Sequence, residues 1–161
     1  MIVTIEDFKS KNEMYGYLES ACAAMIDRRD NVISSLANAA ALIKIYMKDV
    51  NWAGFYLFQE EMLTLGPFQG GPAVTRIKLG KGVCGLSAER MKTVRVDDVT
   101  VFDSYIACDN LTLSEIVVPL VKKERLIAVL DIDSPLPSRF DSEDEKGLEK
   151  IANTLVHLIY M

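Results

Sequence analysis

Two amphipathic helical patterns open this chain, a run of short aromatic and β-branched segments fills its middle, and a third helical pattern closes it. Nowhere do strands and helices alternate in the βαβ manner of a parallel sheet. These observations predict an α+β domain, an antiparallel sheet with the N- and C-terminal helices packed on one face. With 161 residues, half of them hydrophobic and a quarter charged, the chain has the size and balance of one folded domain spanning 1–161.

The first helix is expected across residues 10–28. Ser10 and Glu13 have capping-box spacing, and Met14, Leu18, Ala21, Cys22 and Met25 recur at helical intervals. A second helix follows Asp30, with Val32, Ile33, Leu36, Ala40, Ile43 and Met47 on one side and lysines toward its C-terminal end, where the helix dipole favours cations. From Asn51 the period changes. NWAGFYLF and MLTLGPF are separated by the turn Gln59-Glu60-Glu61, as in a β-hairpin. Further strands are expected at Thr75–Lys78 and Thr93–Val96, joined by a glycine-rich connection and a short helical piece over Leu86–Met91. The clearest hairpin runs from Glu115 to Val121, turns at KKER, and returns from Leu126 to Asp133; both strands are apolar enough to be central. Pro135 and Pro137 stop the sheet, and Ser142-x-x-Glu145 is read as the cap of a last helix presenting Leu148, Ile151, Leu155, Leu158 and Ile159.

Charge and hydropathy exclude several classes of function. With 18 basic against 23 acidic side chains, and no basic stripe interleaved with aromatics, nucleic acid is not an expected partner. The apolar runs, such as Leu126–Leu130, are far too short to span a bilayer, so no membrane association is expected. The N-terminal MIVTIEDFKSKNE does not read as a signal peptide, which points to the cytoplasm. In a reducing compartment each of the three cysteines is either packing or chemistry.

Cys22, among alanines and methionines on a helical face, reads as packing. Cys84 lies in LGKGVCG, where Gly80, Gly82 and Gly85 have the spacing of a dinucleotide fingerprint. That reading is rejected because the surroundings are antiparallel in character. The glycines instead allow a tight backbone path that brings Cys84 to a cleft, with a plain turn around a buried thiol as the simpler alternative on these residues alone. Cys108 stands beside Asp109 and Asn110 in a polar loop with little core to fill, so chemistry and packing are evenly matched there. Glu115 begins one central strand, and Asp131 with Asp133 ends its partner; the two-residue spacing aims both aspartates at one sheet face. Acids in strands this apolar are costly unless paired or holding a ligand. The alternative is that they lie at exposed strand ends. An ammonium group suits them better than zinc, since the sole histidine, His157, is in the last helix and no ligand-spaced Cys/His pair exists. No metal and no cofactor are therefore expected. Trp52 and Tyr56 share a sheet face, as core or as the walls of a site.

NWAGFYLF, LGPFQG, GKGVCG, IACD, SEIVVP and LDIDS, in this order and at these intervals, resemble the GAF-domain free methionine-(R)-sulfoxide reductases over about residues 10 to 160. The resemblance implies a six-stranded antiparallel GAF sheet backed by helices, and a small closed pocket for one free amino acid. It implies thiol-dependent reduction of free L-methionine-(R)-sulfoxide, with Cys108 as the nucleophile and a sulfenic acid as the intermediate. Cys84 would then close a disulfide that thioredoxin reduces. Glu115, Asp131 and Asp133 correspond to acids that hold the substrate ammonium and assist protonation of the departing oxygen, and Trp52 and Tyr56 to the wall near the methyl group. A homodimer is compatible with the family. The chain departs from the usual pattern at Val74, where a further cysteine is common, and at Tyr105, where a histidine usually precedes IACD. Resolution of Cys108 by Cys84 alone or by an external thiol stays open. The competing reading is a non-catalytic GAF domain that senses a small molecule.

Overall fold

The computed structural model describes residues 8–27, 29–106 and 111–160. Helix α1 (Lys11–Ala24) starts where Ser10 Oγ accepts from the Glu13 amide, while the Glu13 carboxylate reaches back to the Lys9 amide, one residue before the cap. Helix α2 (Val32–Tyr46) is capped by Asn31, whose side chain accepts from the Ile33 amide. Strands β1 (Trp52–Gln59) and β2 (Met62–Gln69) are joined by Glu60 and Glu61, both with positive φ, as a two-residue hairpin turn requires. Strand β3 (Arg76–Lys78), helix α3 (Gly82–Arg90) and strand β4 (Val94–Val96) follow, then a 3₁₀ turn (Val99–Val101). Strands β5 (Ser114–Lys122) and β6 (Arg125–Ser134) form the predicted hairpin, and α4 (Ser142–Ile159) ends the chain.

All five neighbouring strand pairs are antiparallel, and the six strands lie in the order β3-β2-β1-β6-β5-β4. The α+β expectation and the helix layer on one face hold. Strands β3 and β4 are close in sequence yet occupy opposite edges, so the chain between them must cross a whole sheet face. That crossing carries α3.

Strand parity sorts the side chains between two cores. Ala53 and Phe55 of β1, Ile116, Val118 and Leu120 of β5, and Ala128, Leu130 and Ile132 of β6 pack with Leu18, Leu36, Ile43, Leu148, Ile151 and Leu155 of α1, α2 and α4. Full burial of each large aliphatic chain contributes about 1.5–3 kcal/mol, so this layer holds most of the stabilising area. Residues of opposite parity, Trp52, Tyr56, Val117 and Val129, form a smaller core with Val83, Cys84 and Ala88 of α3.

Several local expectations are corrected. Ile33 and Met25 are about half exposed, because α2 and the end of α1 turn them away from the sheet. The turn between β5 and β6 is the pair Lys123-Glu124, both at positive φ, rather than the whole of KKER. The cap of α4 is Asp141, one residue ahead of Ser142, in a capping box with Asp144. Asp144 is wholly buried because it also meets Lys11 at 2.7 Å, Arg139 at 3.3 Å and the Tyr15 hydroxyl at 2.8 Å, which clasps α1 to α4. Ser142 and Glu145 could not do this, as neither faces the helix junction.

Candidate active site

The face away from the helix layer carries every predicted site residue that the structure describes. In β1, Trp52, Gly54 and Tyr56 point to it; in β5, Glu115 and Val117; in β6, Val129, Asp131 and Asp133. Register sets their neighbours. Asp133 lies across from Trp52 on one side and Glu115 on the other, while Asp131 lies between Gly54 and Val117. Glu115 is therefore directly opposite one aspartate and diagonal to the second, both within reach of a carboxylate. The alternative of exposed strand ends is overturned: Glu115 is 5% exposed, Asp131 0% and Asp133 1%.

Cys84 reaches these acids from α3. The glycine-rich segment is not a plain turn: the helix starts at Gly82, so Cys84 sits in its first turn, 3% exposed rather than at a cleft surface. Gly85 is required there, since a Cβ would collide with the Lys78 carbonyl oxygen. Ser87 ties the helix to the sheet through the Val117 carbonyl at 3.4 Å. The Cys84 thiol lies 4.0 Å from Glu115 Oε1, and single donor atoms of Cys84, Glu115 and Asp131 fall within 4.8 Å of one another.

Asp131 is the most constrained of the acids. Neither of its oxygens makes a hydrogen bond of ordinary geometry to a described residue, and none of the ion pairs among the described residues involves it. Burial pushes its carboxyl up to about 6, with the nearby Glu115 and Cys84 pulling the other way. A carboxyl so placed is suited to hold a proton near neutrality or to receive a cation. Burial, with the Glu19 charge adding to it, lifts the Cys22 thiol up to about 12, in keeping with its reading as packing.

The aromatic wall is larger than the sequence suggested. Trp52 stacks on Tyr56 with ring centroids 6.1 Å apart, and Phe68 stacks on the Trp52 ring at 5.2 Å. Phe68 was missed because only the pairing of β1 with β2 places it opposite Gly54, where the missing side chain leaves room for a ring. Trp52 Nε1 donates to the Gly71 carbonyl and the Tyr56 hydroxyl to the Val74 carbonyl, so the two rings also pin the segment after β2. Cys108 lies outside the described residues. Ile106 packs against Gly82, its side-chain atoms 3.2–3.3 Å from where a Cβ there would stand.

Open surface grooves lie elsewhere. One runs between α4 and the open side of β5, and another lies beside Phe8 and Lys48. The acid cluster is instead enclosed, a small polar patch set in an apolar and aromatic surround.

A curled six-stranded sheet with helices behind it and an enclosed site in front is a GAF domain, and the GAF domain family profile matches residues 19–157. Within that family the chain belongs to the free methionine-R-sulfoxide reductases. It is 46% identical over 146 residues to the free methionine-R-sulfoxide reductase of Escherichia coli K12, covering 91% of this chain and 88% of that one. The Staphylococcus aureus fRMsr solved in complex with substrate superposes with a TM-score of 0.85 at 42% identity, covering 90% of this chain and 95% of that one. A GAF sensor protein structure from Burkholderia vietnamiensis gives a TM-score of 0.90 at 44% identity, covering 94% and 96%.

Proposed function

We propose that this chain reduces free L-methionine-(R)-sulfoxide to methionine by thiol chemistry. The observation that carries the reading is the position of Asp131: a fully buried carboxyl with no cationic partner among the described residues and no hydrogen bond of ordinary geometry to them, its polar neighbours being a second acid and a thiol, under an aromatic wall. A free amino acid supplies what that site lacks, an ammonium for the carboxylates and an apolar end for the rings.

In this mechanism the Cys108 thiolate attacks the sulfoxide sulfur. As the oxygen passes to the cysteine, a proton from Glu115 or Asp131 reaches it, the sulfur–oxygen bond of the substrate breaks, and methionine leaves with Cys108 as a sulfenic acid. Asp131 is suited to this because burial favours its protonated form, and Glu115 because it lies beside Asp131 and the Cys84 thiol. Asp133, across from Glu115, completes the ammonium site, and Trp52 and Tyr56 flank the methyl group. The Cys84 thiol then attacks the sulfenic sulfur, releasing water and leaving a Cys84–Cys108 disulfide. A dithiol reductant of the thioredoxin type returns both thiols by exchange. With valine at position 74, this scheme uses two cysteines and no third. A reducing cytoplasm is the matching compartment; among the described residues no helix is long and apolar enough to cross a membrane.

Turnover of free methionine-R-sulfoxide with thioredoxin or dithiothreitol, and indifference to the S epimer and to peptide-bound sulfoxide, is the expected result. Cys108→Ser should abolish turnover, by at least about 10³-fold as expected when a nucleophile is removed, and full activity in that variant would overturn the assignment. Cys84→Ser should leave one turnover per chain and accumulate the sulfenic acid, trapped and weighed by mass spectrometry.

A further inference from the structure

The sequence holds no ligand-spaced Cys/His pair, but the fold assembles a different donor set from three separate elements. Cys84 comes from α3, Glu115 from β5 and Asp131 from β6, with donor atoms within 4.8 Å of one another. A cluster of this kind says little by itself. Here a second observation accompanies it, because Asp131 is completely buried and neither carboxylate oxygen makes a hydrogen bond of ordinary geometry to a described residue.

We propose that this cluster is a binding site for a single thiophilic divalent cation, Zn²⁺ or Cd²⁺, which excludes the amino-acid substrate from the same acids. The donor chemistry selects the class. The thiolate is a soft ligand and the two carboxylate oxygens are hard ones, a mixed set that a borderline, thiolate-binding cation accepts in a tetrahedron with its fourth position open to water. Calcium and magnesium need about six oxygens each, more than these side chains provide. Tetrahedral zinc holds its donors about 3.5 Å apart, so the observed cluster has to contract by about 1 Å, which rotation of the Glu115 side chain can supply. On binding, the Cys84 thiol gives its proton to solvent and the sulfur takes up the metal; no oxidation or reduction takes place.

The exclusion of substrate rests on the proposed role of Glu115 and Asp131 in holding its ammonium, whereas the binding of metal does not. The two are separable, because binding is read without turnover. Titration of the fully reduced chain with Cd²⁺ should develop a thiolate-to-cadmium charge-transfer band that saturates at one equivalent. Cys84→Ser should lose the band, Asp131→Asn should bind more weakly by on the order of ten-fold or more, and Cys22→Ser should match the parent. Millimolar Mg²⁺ or Ca²⁺ should not compete. If Asp131→Asn fails to fold by circular dichroism, Glu115→Gln answers the same question. A band that survives in Cys84→Ser, or an affinity unchanged in both acid variants, would overturn the site. Competition by free methionine against Cd²⁺ tests the exclusion: if the cation binds but methionine leaves its affinity unchanged, the shared-site part of the proposal fails while the metal site stands.

Discussion

Asp131 concentrates the conflict between stability and function in one residue. Its carboxyl is pushed up to about 6 by burial, against an ordinary value of 3.8. Between those pH values the folded chain holds a proton that the unfolded chain has already released. The stability tied to this group is therefore full below about pH 4, declines as pH rises toward 6 and remains at the lower level above it. Asp131→Asn should remove that decline. In chelator-containing buffer the variant should match the parent near pH 3.5 and exceed it at pH 8 by about 1–3 kcal/mol, the ceiling being set by the distance from 3.8 to about 6. Denaturant melts at the two pH values check this, and a variant less stable than the parent at pH 8 would refute it. The same substitution should weaken substrate binding. That these aspartates share a face was legible from their spacing; that they are buried was not, because burial depends on α3 closing over them.

At the scale of the element, α4 shows how tertiary contact overrides local preference. Glycine within a helix is worth about 1 kcal/mol less than alanine, so Gly147 looks like a position to improve. The structure says otherwise: a Cβ at 147 would run into the Tyr15 ring, whose hydroxyl is engaged by Asp144 of the same helix. Tyr15 cannot retreat without breaking the clasp made by Asp144, Lys11 and Arg139. Gly147→Ala should destabilise the chain by about 1–2 kcal/mol net, overpacking outweighing the gain in propensity. A shift of the denaturation midpoint to lower urea at unchanged slope would register it, and a stabilised variant would contradict it. The last helix was legible from its period and its acidic start, yet its cap fell one residue off. Ser142 and Asp141 are both good capping residues, and the choice between them was made by Lys11, which pairs with Asp141 and Asp144 from another helix.

Over the whole molecule, one sheet serves two cores, and every strand of β1, β5 and β6 contributes side chains to both. Loss of either layer strips the sheet of half its support, so the chain is expected to unfold as one unit. Near-ultraviolet and far-ultraviolet circular dichroism should report a single coincident transition with calorimetric and van't Hoff enthalpies equal; two separated transitions would show that the α3 side unfolds independently.

What the sequence determined by itself is the parity of each strand and the period of each helix, since these are properties of neighbouring residues along the backbone. From them follow the α+β class, the grouping of Trp52 with Tyr56 and of Asp131 with Asp133, and the assignment of Cys22 to packing. Only the tertiary structure decided the strand order, the crossing that takes α3 from one sheet edge toward the other, and the pairing that sets Glu115 opposite Asp133 and Phe68 opposite Gly54. The meeting of Cys84 with Glu115, 31 positions further on, belongs to the same level. Such contacts arise where distant segments compete to cover the same apolar surface, and no local pattern records which of them wins.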